Sequence, residues 1–192
     1  YPIISYKSPN IRGQVESSET DAIDYTKASN WFIGGAGKNS FDSKKAAFYT
    51  ISVPKLKIEN ARVAIGGEDL SKSLIQYPGT ALPGKTGNSV IFGHSILPLF
   101  YNPKDYMSIF SLLPTLTKGD EILVSYDGIS YKYRVEEIFE VAPTDLQVLE
   151  QDDSDSFLTL VTCVPPGDPR KPKRLIVRAR VVPPTAYEYF RN

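Results

Sequence analysis

Thr159-Leu160-Val161-Thr162-Cys163-Val164-Pro165-Pro166, followed eleven positions after its cysteine by Arg174-Leu175-Ile176-Val177-Arg178-Ala179-Arg180-Val181, decides the architecture. Side chains of a strand alternate between its two faces. Leu158 and Leu160 therefore share one face, and Thr159, Val161 and Cys163 the other. In the second stretch Leu175, Val177, Ala179 and Val181 form an apolar face, with Arg174, Ile176, Arg178 and Arg180 opposite. If the leucines face the core, Cys163 faces outward at a strand end, held by the sheet yet open to solvent. Pro165 stops regular pairing just beyond it. Arg174 then sits outside the core, where a returning neighbour strand begins.

Upstream the same short alternating runs recur. Residues 49–53 read as a strand ended by Pro54, followed by 56–58 and 61–65. Residues 89–94 form an apolar strand, and 121–126 with 130–141 a hairpin around Asp127-Gly128. Residues 69–74 read as a helical turn. The long connection 95–116 is expected to hold a helix at 108–113. Fifteen Pro, 13 Gly, 12 Tyr and 9 Phe suit many turns and short strands. The fold class is all-β, a closed barrel with antiparallel or mixed pairing, although periodicity alone leaves a sandwich equally open.

The length, 192 residues, fits one domain with a real core. Residues 46–184 form that domain and 185–192 a C-terminal tail. Residues 1–45 read as an N-terminal extension, partly helical over 20–31 after Ser18-Glu19-Thr20-Asp21. Gly34-Gly35-Ala36-Gly37 breaks it. Trp31 reads as its packing anchor. The extension could instead lie over a groove as a lid, which nothing in its sequence demands.

Twenty-two basic and 22 acidic residues give no net charge, so neither nucleic acid nor an anionic membrane surface is indicated as a partner. One cysteine excludes an intramolecular disulfide and a multi-Cys zinc site, and one histidine weakens any metal reading further. No apolar run reaches membrane-spanning length, and no signal segment is visible. A chain starting at Tyr1 reads as a piece of a longer protein, with any targeting or anchoring segment upstream. The acidic run Glu150-Gln151-Asp152-Asp153-Ser154-Asp155 has the oxygen ligands for Ca²⁺, with Glu68 or Asp69. It reads better as a solvated turn, and no cofactor is expected.

Val90, Phe92 and His94 point one way along their strand, and Gly93 removes bulk beside the histidine. Cys, His and Arg can thus each project from a strand end on the outer face of a sheet. Thiolate is the reactive form of cysteine and is favoured by cationic neighbours. Imidazole can hand a proton to a leaving amine and take one from an incoming nucleophile. Arginine stays charged and can donate paired hydrogen bonds to an oxyanion.

The run 159–163 followed by 174–177 resembles the signature of sortases. Pro83-Gly84-Lys85-Thr86-Gly87-Asn88-Ser89-Val90-Ile91-Phe92-Gly93-His94 is similar to the family's histidine segment. Residues 49–56, ending Val-Pro-Lys-Leu, resemble its first strand, and Leu116-Thr117-Lys118-Gly119-Asp120-Glu121-Ile122 the entry to a middle strand. The resemblance spans about 48–182 in unbroken order. It implies an eight-stranded sortase β-barrel and a thiol transpeptidase that cuts a Leu-Pro-x-Thr-Gly-type sorting signal between Thr and Gly. The acyl-enzyme thioester would pass to an amine of a cell-wall precursor or pilin, at the extracytoplasmic face of the membrane. Any membrane contact would run through an upstream anchor.

His94, Cys163 and Arg174 fall on the family's catalytic positions. Phe92, Val161 and Ile176, with Thr162, are the expected substrate-binding residues. Arg170 is the rival for the arginine position, but it follows Pro169 in a loop and is less well held. Two other functions stay in play. An L,D-transpeptidase-like or hydrolytic cysteine enzyme would favour a Ser-His-Gly-Cys segment, absent here. A non-catalytic β-barrel surface module would not require the three side chains to meet.

Overall fold

The computed structural model describes residues 23–37, 40–42 and 47–185. Eight strands form the domain: β1 (Phe48–Val53), β2 (Ile58–Ile65), β3 (Leu74–Gln76), β4 (Gly87–Phe92), β5 (Glu121–Tyr126), β6 (Ile129–Val141), β7 (Ser156–Val164) and β8 (Lys173–Val181). They close into a barrel in the order β1-β2-β3-β4-β7-β8-β6-β5. Pairing is mixed: β2/β3 and β4/β7 run parallel, and the other neighbours antiparallel. Closure settles the barrel-or-sandwich alternative and leaves no free sheet edge.

Local chemistry sets the corners. Pro54 ends β1 and opens a 3-10 turn that includes Leu56, so β2 starts only at Ile58. Asp127 (φ +51) and Gly128 (φ +73) supply the two positive φ angles of a tight hairpin, which pairs Tyr126 with Ile129.

Leu158, Leu160, Leu175, Val177 and Ala179 lie in the barrel interior with Ile51, Val63, Ile91, Ile122 and Tyr133. Val161, Cys163 and Ile176 belong to a second apolar cluster on the outside of the barrel, with Val90 and Phe92. The alternation read from β7 and β8 therefore holds. Every residue of β7 is nevertheless buried: on its outer face Val161 and Cys163 pack with Trp31 and its neighbours, while Phe157 lies under Arg178 and Arg180.

Three local expectations resolve differently. Residues 108–113 form turns rather than a helix. Their polar groups bond elsewhere: the Phe110 N–H donates to the His94 carbonyl (2.9 Å), and the Ser111 hydroxyl accepts from the Ile96 N–H (2.9 Å). Residues 69–74 make turns and a bridge before β3, with Leu70 N–H donating to the Thr26 carbonyl. Of the helix expected over 20–31, residues 20–22 lie outside the described residues, and 23–31 contain one 3-10 turn, Ala28–Asn30. Here the Ala28 N–H donates to the Glu68 carbonyl at 3.0 Å, so tertiary pairing replaces a helical ladder. Most of the tail, 186–192, also lies outside the described residues. Among the described residues no helix is long and apolar enough to cross a membrane.

Candidate active site

Three neighbouring strands carry the candidate groups. Cys163 of β7 sits directly across the antiparallel ladder from Arg174 of β8. β4 flanks β7 on the other side, and its continuation places His94 beside them through Gly93 N–H to the Val161 carbonyl (3.1 Å). Two hydroxyls lock this junction. Ser95 Oγ donates to the Cys163 carbonyl at 2.7 Å, and Thr162 Oγ1 to the Gly93 carbonyl at 2.8 Å. A side chain at Gly93 would put its Cβ 2.6 Å from Leu74 Cδ2 and against the Phe110 ring. The glycine therefore makes room for packing behind the strand, a different use from clearing space beside the imidazole.

Arg174 is 1% exposed and held from two sides. Its Nη1 donates to the carbonyls of Lys171 (2.9 Å) and Lys173 (3.2 Å), while its Nε donates to the Trp31 carbonyl at 3.0 Å. Arg170, by contrast, is exposed and takes Asp168 through Nε and Nη2.

The cover over these groups is the N-terminal segment. The Trp31 ring stacks on Phe92 (centroids 5.2 Å, 11°) and meets the His94 ring edge-on at 5.8 Å. Tyr25 and Trp31 both lie against the Arg174 guanidinium, at 5.5 and 5.6 Å. The indole N–H donates to the Tyr25 carbonyl, closing the segment on itself. Phe32 packs on Phe92 as well. Further out, Ser29 Oγ donates to Glu68 (2.5 Å), and the Ala36 N–H to the Tyr77 hydroxyl. Cys163 is consequently 1% exposed and His94 4%. The expectation of a cysteine open to solvent is corrected: its outer face is covered by the chain's own Trp31 and neighbours. Arg174, expected outside the core, is outside the barrel interior yet equally buried.

Burial dictates the protonation states. It pulls His94 down to about 4, assisted by the Lys171 charge and opposed by the carboxylates of Asp24 and Asp69. It pushes the Cys163 thiol up, against the opposing pull of Arg174 and Lys171. A covered site thus holds a neutral thiol and a neutral imidazole. His94 Nε2 has no hydrogen-bond partner, unusual for a buried nitrogen.

Phe92, Val161 and Ile176 share the outer cluster with Cys163. Thr162 does not: it has the parity of Leu160 and uses its hydroxyl on Gly93, so it fastens strands instead of lining a groove. In the acidic run, Asp152 and Asp155 face Arg178 and Arg180 (3.5 Å each), while Asp69 bonds Ser71 and Glu68 bonds Ser29. No cluster of three or more His, Cys, Asp or Glu suited to a metal occurs among the described residues.

Sequence reasoning did not find Tyr25, Ser95 or Lys171. A lone Trp six residues after a Tyr, inside a polar segment, was the available signal for the cover. Nothing local marks Ser95, whose role arises from the strand pairing.

A thiol, an imidazole and a guanidinium gathered at adjoining strand ends form the equipment of thiol-dependent acyl transfer. Residues 51–182 match the model of the sortase domain, and the chain belongs to the sortase family, whose members are cysteine transpeptidases. It is 28% identical over 170 residues to a sortase A of Bacillus anthracis, covering 87% of this chain and 74% of that one. Among solved structures it resembles sortase C1 of Streptococcus agalactiae (32% identity, TM-score 0.62, 75% of this chain and 71% of that one). It is also similar to a lid mutant of Corynebacterium diphtheriae sortase A (28% identity, TM-score 0.62, 76% and 77% covered). The eight-stranded closed barrel is the fold these structures share.

Proposed function

We propose that Cys163 is the nucleophile of a sortase reaction, His94 its proton-transfer partner and Arg174 its oxyanion donor. The carrying observation is the hydrogen bond from Arg174 Nε to a peptide carbonyl, that of Trp31, directly across the ladder from Cys163. A donor that already holds a carbonyl oxygen, on the residue paired with Cys163, supports the oxyanion role. In the first step the Cys163 thiol passes its proton to His94, and the resulting thiolate attacks the Thr carbonyl of a Leu-Pro-x-Thr-Gly-type signal. Negative charge gathers on that oxygen, against Arg174. As the C–N bond breaks, His94 gives its proton to the leaving Gly amine, leaving a thioester on Cys163. An incoming amine then attacks the thioester, loses a proton to His94, and releases the thiolate. The acceptor amine belongs to a cell-wall precursor or a pilin, and the enzyme works at the extracytoplasmic face of the membrane. Phe92, Val161 and Ile176 line the peptide groove.

Residues 25–36 act as a lid on that groove. The C. diphtheriae structure described as a lid mutant supports this reading. So does the chemistry: under the cover thiol and imidazole are both neutral, whereas attack needs the thiolate. Displacement of Trp31 by substrate restores solvent and moves both groups back towards their ordinary values.

The test is mass spectrometry after incubation with a Leu-Pro-x-Thr-Gly peptide. A thioester on Cys163, absent in Cys163→Ala, supports the reading. No adduct with any sorting-type peptide, even in Trp31→Ala, would refute it.

A further inference from the structure

Lys171 stands at the mouth of the site with no part in the steps above. It occupies the β7–β8 loop in the left-handed region, φ +44. A side chain there costs free energy that Gly or Asn would largely avoid. The backbone has its own reasons for the turn: the Lys171 N–H donates to the Asp168 carbonyl (3.1 Å), and its carbonyl accepts from Arg174. Glycine would meet both, so the lysine side chain needs a separate explanation.

Its surroundings supply one. Arg170 pairs with Asp168 and Lys173 with Glu140. Lys171 forms no ion pair among the described residues. Its ammonium instead lies 5.8 Å from the centre of the Tyr25 ring, the same ring that lies 5.5 Å from the Arg174 guanidinium. One neutral ring therefore caps two cations. The carboxylates that reach His94 electrostatically already have partners: Asp24 bonds Thr26, and Asp69 bonds Ser71 and Lys72.

We propose that Lys171 is a specificity-determining residue: when Tyr25 leaves, Lys171 and Arg174 form a two-cation mouth over Cys163 that selects a sorting peptide carrying a carboxylate at x, the residue before the Thr of its scissile bond. This rests on Cys163 and Arg174 being the reacting pair. The division of labour follows from the two cations' attachments. Arg174 is fixed by three carbonyls and is aimed at one oxygen. Lys171 is a point charge on a flexible stem, able to follow a neighbouring side chain. The Tyr25 π-face is a weaker partner for an ammonium than a carboxylate is, so an acidic peptide displaces it favourably.

The experiment uses the full chain with Trp31→Ala, which uncovers the single cysteine. Cys163 is alkylated in parallel by iodoacetate and iodoacetamide, reagents of like size that differ in charge. Lys171→Met should lower the iodoacetate-to-iodoacetamide rate ratio about five-fold at low salt, the effect of one nearby charge in a mostly aqueous mouth. The difference should shrink towards nothing at about 1 M salt. Lys171→Arg should preserve the ratio. If Trp31→Ala does not fold, Tyr25→Ala provides the opened background. In turnover, a sorting peptide with Glu at x should surpass its Gln twin in kcat/KM, and Lys171→Met should level the two. An unchanged alkylation ratio in Lys171→Met, or no Glu preference in the parent chain, overturns the proposal. Alkylation needs no sorting reaction, so its outcome is separable from the thioester test.

Discussion

The two faces of β7 are buried equally and by different means. On the inner face Leu158 and Leu160 pack in a core enclosed by eight strands joined edge to edge. On the outer face Val161 and Cys163 lie under Trp31, Phe32 and their neighbours. That cover is tied to the barrel by a short bridge at Lys27 and Asp69, by Ser29–Glu68, and by the Trp31 carbonyl on Arg174. Removing the inner packing requires opening a closed sheet. Removing the outer packing requires breaking the hydrogen bonds of one short segment and the ring contacts of Trp31 and Phe32 with Phe92 and His94, while the sheet stays closed. Burial of a leucine here is a property of the closed sheet, whereas burial of the thiol depends on the covering segment that we propose to be a lid.

The largest contrast should come from the groups proposed to react. Cys163→Ala should lower peptide transfer by at least about 10³-fold while leaving the thermal midpoint nearly unchanged. Arg174→Lys should cost about 10²–10³-fold in kcat, since a point charge does not reproduce the guanidinium fork. Leu160→Ala, on the same strand facing inward, should reverse the pattern, losing about 2–5 kcal/mol of stability by denaturant titration.

Trp31→Ala sharpens the comparison from the other side. It should raise the rate of Cys163 labelling by iodoacetamide about ten-fold or more, since loss of a buried Trp costs several kcal/mol locally. The barrel's urea midpoint should move far less than in Leu160→Ala. Equal losses in both variants would erase the distinction between the two layers.

Next in size is a pH effect on the cover. His94 is held at about 4 when covered, against an ordinary value near 6.5. Above about pH 6.5 both forms are neutral there, and pH has no leverage through this group. As pH falls below 6.5 the uncovered form takes up a proton that the covered form refuses, so opening gains about 2 kcal/mol by pH 5 and saturates below 4. Cys163 acts in the opposite range: its raised pKa makes opening favourable as pH climbs past the ordinary thiol value. Trp31 is the only tryptophan, so its emission should shift to the red from pH 7 to 5, a change lost in His94→Ala. The smallest effect belongs to Ser95→Ala. It frees the Cys163 carbonyl from a 2.7 Å bond and should reduce kcat several-fold with KM nearly constant, the result of about 1 kcal/mol of lost positioning.

These contrasts also explain how much was legible in the sequence. Alternation along β7 and β8 assigned the faces of Leu160, Cys163, Leu175 and Arg174 correctly, because a period of two is a local property. The Asp127-Gly128 hairpin was legible for the same reason. Barrel closure was expected from the many short strands and from the family resemblance, but periodicity alone did not fix it, since it depends on β1 finding β5. The expectation of an exposed cysteine failed because its cover comes from about 130 positions away, and no local pattern reports that Trp31 will stack on Phe92. Thr162, expected with the groove residues, lies on the opposite face from Val161 and Cys163, because alternation sends neighbours to opposite faces. Over its described residues the helix expected at 20–31 gave way because the Ala28 N–H found the Glu68 carbonyl and the Thr26 carbonyl found the Leu70 N–H.

The most direct test is native-state labelling of Cys163 by iodoacetamide over a range of urea, read beside Trp31 emission and far-UV circular dichroism. The account predicts that labelling and emission report one opening event, several kcal/mol easier than the loss of barrel structure and nearly independent of urea. Labelling that appears only along the global unfolding curve would contradict it.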